Sequence, residues 1–146
     1  KTRMNGEPLR VLVIDDEEGI RDLLDTLLTR KGYTVVLASG GRKGVELFRR
    51  ERPDVVVLDL KMPEMDGLAV LQHIRNLTPS QPVIILTGAG LPAAEEQLRA
   101  YGVSAYVEKE FSLHRLGDAL NRILVASQSA TLANASDKAA IIKGTQ

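Results

Sequence analysis

Four stretches of this sequence lead into side chains able to do polar chemistry. Asp15 and Asp16 close one apolar run, with Glu17 and Glu18 behind them. Asp59 closes a second run, Thr87 a third, and Lys109 follows a fourth that contains Tyr106. Two carboxylates from one run and a third from a neighbouring run would concentrate negative charge. Within several ångströms of each other they cannot all stay ionised without a cation, because like charges raise each other's pKa. An all-oxygen set favours Mg²⁺, whose octahedral shell leaves positions for waters and a phosphate oxygen. Asp15 and Asp16 would also suit the cap of a helix beginning near Glu17, where negative charge meets the helix dipole. Capping accounts for one of the pair. It leaves Asp59, which ends a wholly apolar run and opens no helix. Singly, Thr87 reads as a strand-end residue, Lys109 as a solvated lysine and Tyr106 as a half-buried aromatic.

These groups need elements to hold them. Apolar, β-branched runs of strand length occur at Leu9–Ile14, Tyr33–Ala38, Val55–Leu58, Val83–Leu86 and Ser104–Val107. Three are continuous rather than alternating, as suits strands buried on both faces of a parallel sheet. Between them lie helical patterns. Ile20, Leu23, Leu24, Leu27 and Leu28 form an amphipathic stripe, stopped by Gly32 behind Arg30 and Lys31. Further helices are predicted at Gly41–Glu51 before Pro53, at Gly67–Leu77 before Pro79, and at Pro92–Tyr101 before Gly102. Leu113, Leu116, Leu120, Ile123 and Leu124 recur at helical spacing with Ser112 as cap. The result is βα five times over, an α/β doubly wound fold with helices on both faces of a five-stranded parallel sheet. Five strands fit the flavodoxin-like order 2-1-3-4-5, in which ligands bind at the carboxyl ends of the strands. The domain is predicted over residues 9–125. Residues 1–8 form an N-terminal extension, Lys1–Arg3 before Met4 being left out of the fold, and residues 126–146 a tail or linker.

Composition narrows the function classes. The 146 residues make about one domain, include no Cys, and carry 19 Lys plus Arg against 19 Asp plus Glu. Thiol catalysis, Cys-based zinc sites and iron–sulfur clusters are excluded. With zero net charge and five aromatics, nothing supports nucleic-acid binding by base stacking on this chain alone. No apolar run approaches a membrane span and no secretory signal opens the chain, so a soluble cytoplasmic domain is expected.

The stretches VLVIDDE at Val11–Glu17, VVVLDLKMPEMDGL at Val55–Leu68, VIILTG at Val83–Gly88 and SAYVEKEF at Ser104–Phe111 carry a resemblance. They resemble the receiver domain of bacterial two-component response regulators, over about Leu9 to Leu124. The run Asp59, Met62, Pro63, Met65, Asp66 and Gly67, with the paired Asp and the later Thr and Lys, makes the resemblance specific. It implies that Asp59 is the phospho-acceptor. It also implies that Asp16, Asp59 and the Lys61 backbone carbonyl hold Mg²⁺, with Asp15 acting mainly through a bound water. Thr87 and Lys109 would contact phosphoryl oxygens, and Thr87 and Tyr106 would form the switch. A sensor histidine kinase is the implied partner, and the face of the fourth helix, fifth strand and fifth helix (α4-β5-α5, about Pro92 to Leu124) the implied output and homodimer surface. Such a domain is no enzyme beyond its own phosphorylation and dephosphorylation.

Two other readings use the same fold. A phosphorylation-independent interaction scaffold would have no need of three adjacent carboxylates. An aspartyl-nucleophile hydrolase would carry its nucleophile on the first strand with a second Asp two residues on, where Asp59 has Lys61 and lies on the third strand. A dinucleotide fold lacks its Gly-rich turn. With no effector sequence after Leu124, the chain reads as a stand-alone receiver or part of a multidomain regulator. One departure stands out: the family's usual Lys-Pro is Lys109-Glu110 here. A cis bond before a non-proline residue costs ~2.5–4 kcal/mol against ~0.5–1 before proline, so a trans bond is expected.

Overall fold

The computed structural model describes residues 2–3, 5–63, 65–88, 98–108, 115, 117–122 and 125. Five strands, β1 (Arg10–Ile14), β2 (Thr34–Ala38), β3 (Val55–Asp59), β4 (Val83–Thr87) and β5 (Ala105–Glu108), alternate with helices α1 (Glu18–Arg30), α2 (Gly41–Glu51) and α3 (Gly67–Leu77). The strands form one sheet in the order β2-β1-β3-β4-β5, and every pairing is parallel. The predicted order holds. Residues 98–100, 115, 117–122 and 125 are helical, where the fourth and fifth helices are predicted; most of Pro92–Tyr101, and Ser112, Leu113, Leu116, Ile123 and Leu124, lie outside the described residues.

Burial explains why three strands read as continuous apolar runs. Val11–Ile14, Val55–Leu58 and Val83–Ile85 are all fully buried, because both sheet faces are covered. Alternation sorts their side chains into two cores. Val11, Val13, Val55, Val57, Ile84 and Val107 pack with Leu24 and Leu28 of α1 and with Leu120. Leu12, Ile14, Val56, Leu58 and Ile85 pack with Leu47 and Phe48 of α2 and with Val70 and Ile74 of α3. Each such side chain contributes about 1.5–3 kcal/mol through loss of apolar contact with water. α2 and α3 have the predicted limits, while β3 and β4 each run one residue further than their apolar pattern. Ladder pairing continues through the polar residues: Asp59 stands opposite Leu86, and Thr87 opposite Glu108.

Local chemistry ends the elements. Behind α1, Gly32 takes φ +93, and the Gly32 and Tyr33 amides bond back to the Thr29 and Leu28 carbonyls. That left-handed turn is open to glycine at little cost. α2 ends at Arg52 with φ +48, ahead of Pro53, which disfavours a right-handed helical residue before it. α3 begins at Gly67, capped by Asp66, whose Oδ1 accepts from the Ala69 amide at 2.9 Å. A Cβ at Gly67 would stand 2.3 Å from the Asp59 carbonyl oxygen, so only glycine lets α3 start against the end of β3.

Charged groups fasten the amino-terminal edge of the sheet. Asp54, just before β3, accepts from Arg3 Nε at 2.9 Å and from the Arg10 amide at 2.7 Å. Arg3 and Arg10 also donate to the Arg52 and Glu51 carbonyls at the end of α2. Arg3, left out of the fold by the sequence pattern, therefore contacts it 51 residues away. A similar fastening closes the other core. The Arg75 guanidinium of α3 donates to the carbonyls of Tyr101, Gln81 and Gly102, joining the segments that lead into β4 and β5. Burial pushes its pKa below the usual arginine value, yet the group remains charged at neutral pH. No helix among the described residues is long and apolar enough to cross a membrane.

Candidate functional site: an acidic pocket at the carboxyl edge of the sheet

Parallel register brings the ends of β1 and β3 side by side, since Ile14 pairs with Leu58. The next residue on each strand is an aspartate. Asp15 is fully buried and Asp59 is 2% exposed, whereas Asp16 and Glu17 are exposed. Carboxylate oxygens of Asp15, Asp16, Glu17 and Asp59 all lie within 4.8 Å of one another. The sequence-predicted trio is thus brought together, and Glu17 joins it. Glu17 is the N-cap of α1, makes no side-chain cap bond, and has its carboxylate beside the pair. Its adjacency to Asp15-Asp16 was the available signal.

Backbone groups hold the two buried acids. Oδ1 of Asp15 accepts the Glu17 amide at 2.8 Å, and Oδ1 of Asp59 accepts the Lys61 amide at 3.3 Å. Each is a short Asx-type turn that points the carboxylate along its loop. The expected capping role for Asp15 therefore takes the form of a bond to the N-cap residue's own amide. Arg21 of α1 donates to the Asp15 carbonyl at 2.7 Å, tying the first turn of the helix to the end of β1. Spacing did not single out Arg21, six residues on; its contact depends on where α1 starts.

The donor set fits a hard divalent cation. All four clustered groups offer carboxylate oxygens, and Mg²⁺ at about 2.0–2.1 Å from each ligand would place opposite oxygens about 4 Å apart. Four oxygens within 4.8 Å of one another need only small adjustments to surround such an ion.

Thr87 and Tyr106 lie one and two strands away. Thr87 is 5% exposed and its hydroxyl donates to the Gly88 carbonyl at 2.6 Å. Tyr106 is half-buried, pairs with Ile85 and packs with the core of α2 and α3. Ile85 and Thr87 share a parity, so Thr87 and Tyr106 stand on the same face of adjacent strands. Both line a cavity of about 680 Å³ that Arg115, Asp118 and Arg122 also border. Lys109, and with it the Lys109–Glu110 bond, lies outside the described residues. So does His114, whereas His73 is exposed on α3.

Comparison with known proteins agrees with this geometry. The sequence model of the response regulator receiver domain matches residues 11–121. The chain is 36% identical over 128 residues to the transcriptional regulatory protein GlrR of Escherichia coli, covering 88% of this chain and 29% of that protein. It is 37% identical over 116 residues to the probable transcriptional regulatory protein TcrX of Mycobacterium tuberculosis, covering 78% and 49%. The chain thus spans less than half the length of these curated relatives. Among solved structures, a response regulator receiver domain protein of Clostridium thermocellum superposes with a TM-score of 0.78 at 32% identity, covering 84% of this chain and 98% of that one. The Vibrio cholerae chemotaxis protein CheY4 superposes with a TM-score of 0.76 at 28% identity, covering 80% and 98%. With its five-stranded order, its acidic carboxyl edge and these matches, the chain belongs to the response regulator receiver domain family and is a receiver of two-component signal transduction.

Proposed function

We propose that Asp59 accepts a phosphoryl group from a sensor histidine kinase, or from a small acyl phosphate, and that the modified side chain biases a switch through Thr87 and Tyr106. The observation that carries this reading is the buried Asp59 carboxylate set among three others at the end of β3. One Asp59 oxygen attacks phosphorus in line as the bond to the donor's nitrogen or oxygen breaks, and the donor leaves with its electron pair. A buried, backbone-fastened carboxylate is already oriented for that approach, so little freedom is lost on reaction. Asp15, Asp16 and Asp59, with the Lys61 carbonyl, would hold Mg²⁺, which when bound supplies positive charge against the carboxylates and the phosphoryl oxygens. The Glu17 carboxylate stands close enough to raise the affinity of that site.

The response begins with a single proton. The Thr87 hydroxyl, now given to the Gly88 carbonyl, turns to a phosphoryl oxygen and draws its loop toward Asp59. Tyr106, on the same face of the neighbouring strand, then takes up the vacated space, a local charge change read out by a two-state element. Lys109 contributes a cation to the phosphoryl oxygens. The surface from about Pro92 to Leu124 carries output and homodimer contacts, and the protein works in the cytoplasm without binding nucleic acid or membrane through this domain.

Incubation with acetyl phosphate and Mg²⁺, read by intact mass, tests the proposal. One stoichiometric phosphoryl adduct is expected, absent in Asp59→Asn. No adduct on the unaltered chain would leave an interaction scaffold as the better reading. An adduct retained in Asp59→Asn would make another residue the acceptor.

A further inference from the structure

Exposed acids of α1 and exposed arginines of α2 lie on opposite faces of the sheet in this neutral molecule. On the face covered by α1, Glu18 and Asp22 are exposed one turn apart, and Asp25 follows half-buried on the same line. Leu23, 44% exposed, neighbours Asp22 on the solvent-facing half of the helix. On the other face, α2 and α3 enclose a shallow groove of about 510 Å³ whose floor includes Val45 and Met65, both only partly buried. Arg42 and Arg49 border it, seven residues apart along one line of α2 and so about 10 Å apart along its axis. Glu18 and Asp25 have the same seven-residue separation on α1. Glu46, between the two arginines, leans to Lys43 at 3.7 Å. Among the described residues, neither arginine forms an ion pair, and neither do Glu18 and Asp22.

We propose that the α2–α3 groove docks α1 of a second copy of this chain. Arg42 and Arg49 face Glu18, Asp22 and Asp25 of that helix, and Leu23 covers Val45 and Met65. The match rests on opposite charge at equal spacing beside apolar groups that each surface leaves uncovered. Because the two surfaces lie on opposite faces of one sheet, the contact is head-to-tail. It does not close into a pair but leaves a free groove and a free helix at the two ends for further copies. Exposed ion pairs dominate it, so the assembly is weak and salt-sensitive.

Sedimentation of the chain over a concentration series tests this, in about 0.01 M and about 1 M salt, where charges are screened over about 30 Å and 3 Å. At low salt the average mass is expected to rise with concentration beyond that of two copies, and to return to one copy at high salt. Arg42→Glu with Arg49→Glu should abolish the rise, with circular dichroism checking the fold. Adding Glu18→Arg and Asp22→Arg to that variant should restore it, which a merely destabilised chain would not do. A chain that remains single at low salt overturns the proposal. So does assembly that stops at two copies or survives the double arginine reversal, since the interface is then elsewhere. If the chain stays single yet binds a synthetic peptide of residues 17–30, the groove serves a different acidic helix and self-docking is wrong.

Discussion

Asp54 and Asp59 stand at the two ends of one strand and have opposite surroundings. Asp54 receives a guanidinium and a main-chain amide, and both cations of its neighbourhood, Arg3 and Arg10, are also spent on carbonyls at the end of α2. Asp59 is more deeply buried and lies within 4.8 Å of the oxygens of three further carboxylates. At the first, opposite charges meet and the acid holds the fold together. At the second, like charges meet and the fold holds the acid in place. Strain of the second kind persists when surrounding structure over-determines it, and here the two Asx-type turns, Arg21 and the fully buried β3 do so. Residue type says nothing of this difference; the neighbours delivered by each edge of the sheet decide it.

Exchanging the roles gives the largest expected effects. Asp59→Ala should abolish phosphoryl uptake from acetyl phosphate while leaving the melting temperature unchanged or higher, because a repelling charge is removed. A variant that lost stability instead would show that Asp59 is structural in the way Asp54 is. Next, Gly67→Ala should cost about 3 kcal/mol in denaturant unfolding, since its Cβ meets the Asp59 carbonyl and main chain has to move. If that substitution were neutral, the close packing of α3 on the acceptor would not constrain it. Asp54→Ala should cost about 2 kcal/mol, the effect of removing a charged acceptor from two donors, with phosphoryl uptake preserved. Loss of uptake there would mean that the two ends of β3 are coupled rather than separate. Smallest is the cation: Mg²⁺ at ten times its dissociation constant should add about 1.4 kcal/mol of stability. Thermal melts should record that gain in the unaltered chain and lose it in Asp16→Ala. No gain would mean that the carboxylates are not a divalent-cation site.

Much of this arrangement is legible in the sequence. Glycines and prolines bracket α2 and α3, so their limits follow from the sequence, and wholly apolar runs betray strands covered on both faces. Strand ends were harder to place, because hydrophobic periodicity stops at Leu58 and Leu86 while pairing continues through Asp59 and Thr87. The trio Asp15, Asp16 and Asp59 could be foreseen from strand order alone. Glu17 was signalled only by its adjacency to Asp15-Asp16, and its carboxylate joins the trio from the N-cap of α1. The Arg3–Asp54 contact was equally hidden: it joins residues 51 apart, and no local pattern encodes it.

The three carbonyls gathered by Arg75 have a consequence for the order in which the molecule opens. β5 is an edge strand of four residues whose sole sheet neighbour is β4. The segment delivering it, at Tyr101 and Gly102, is held by one side chain from α3 that simultaneously holds Gln81 before β4. If that guanidinium withdrew, main-chain oxygens from two distant stretches would lose their shared donor together, so opening at β5 is coupled to opening at the start of β4. The strand that carries Tyr106 is thus latched at its inlet and unlatched as a unit, a local unfolding step with its own free energy, distinct from that of the whole domain.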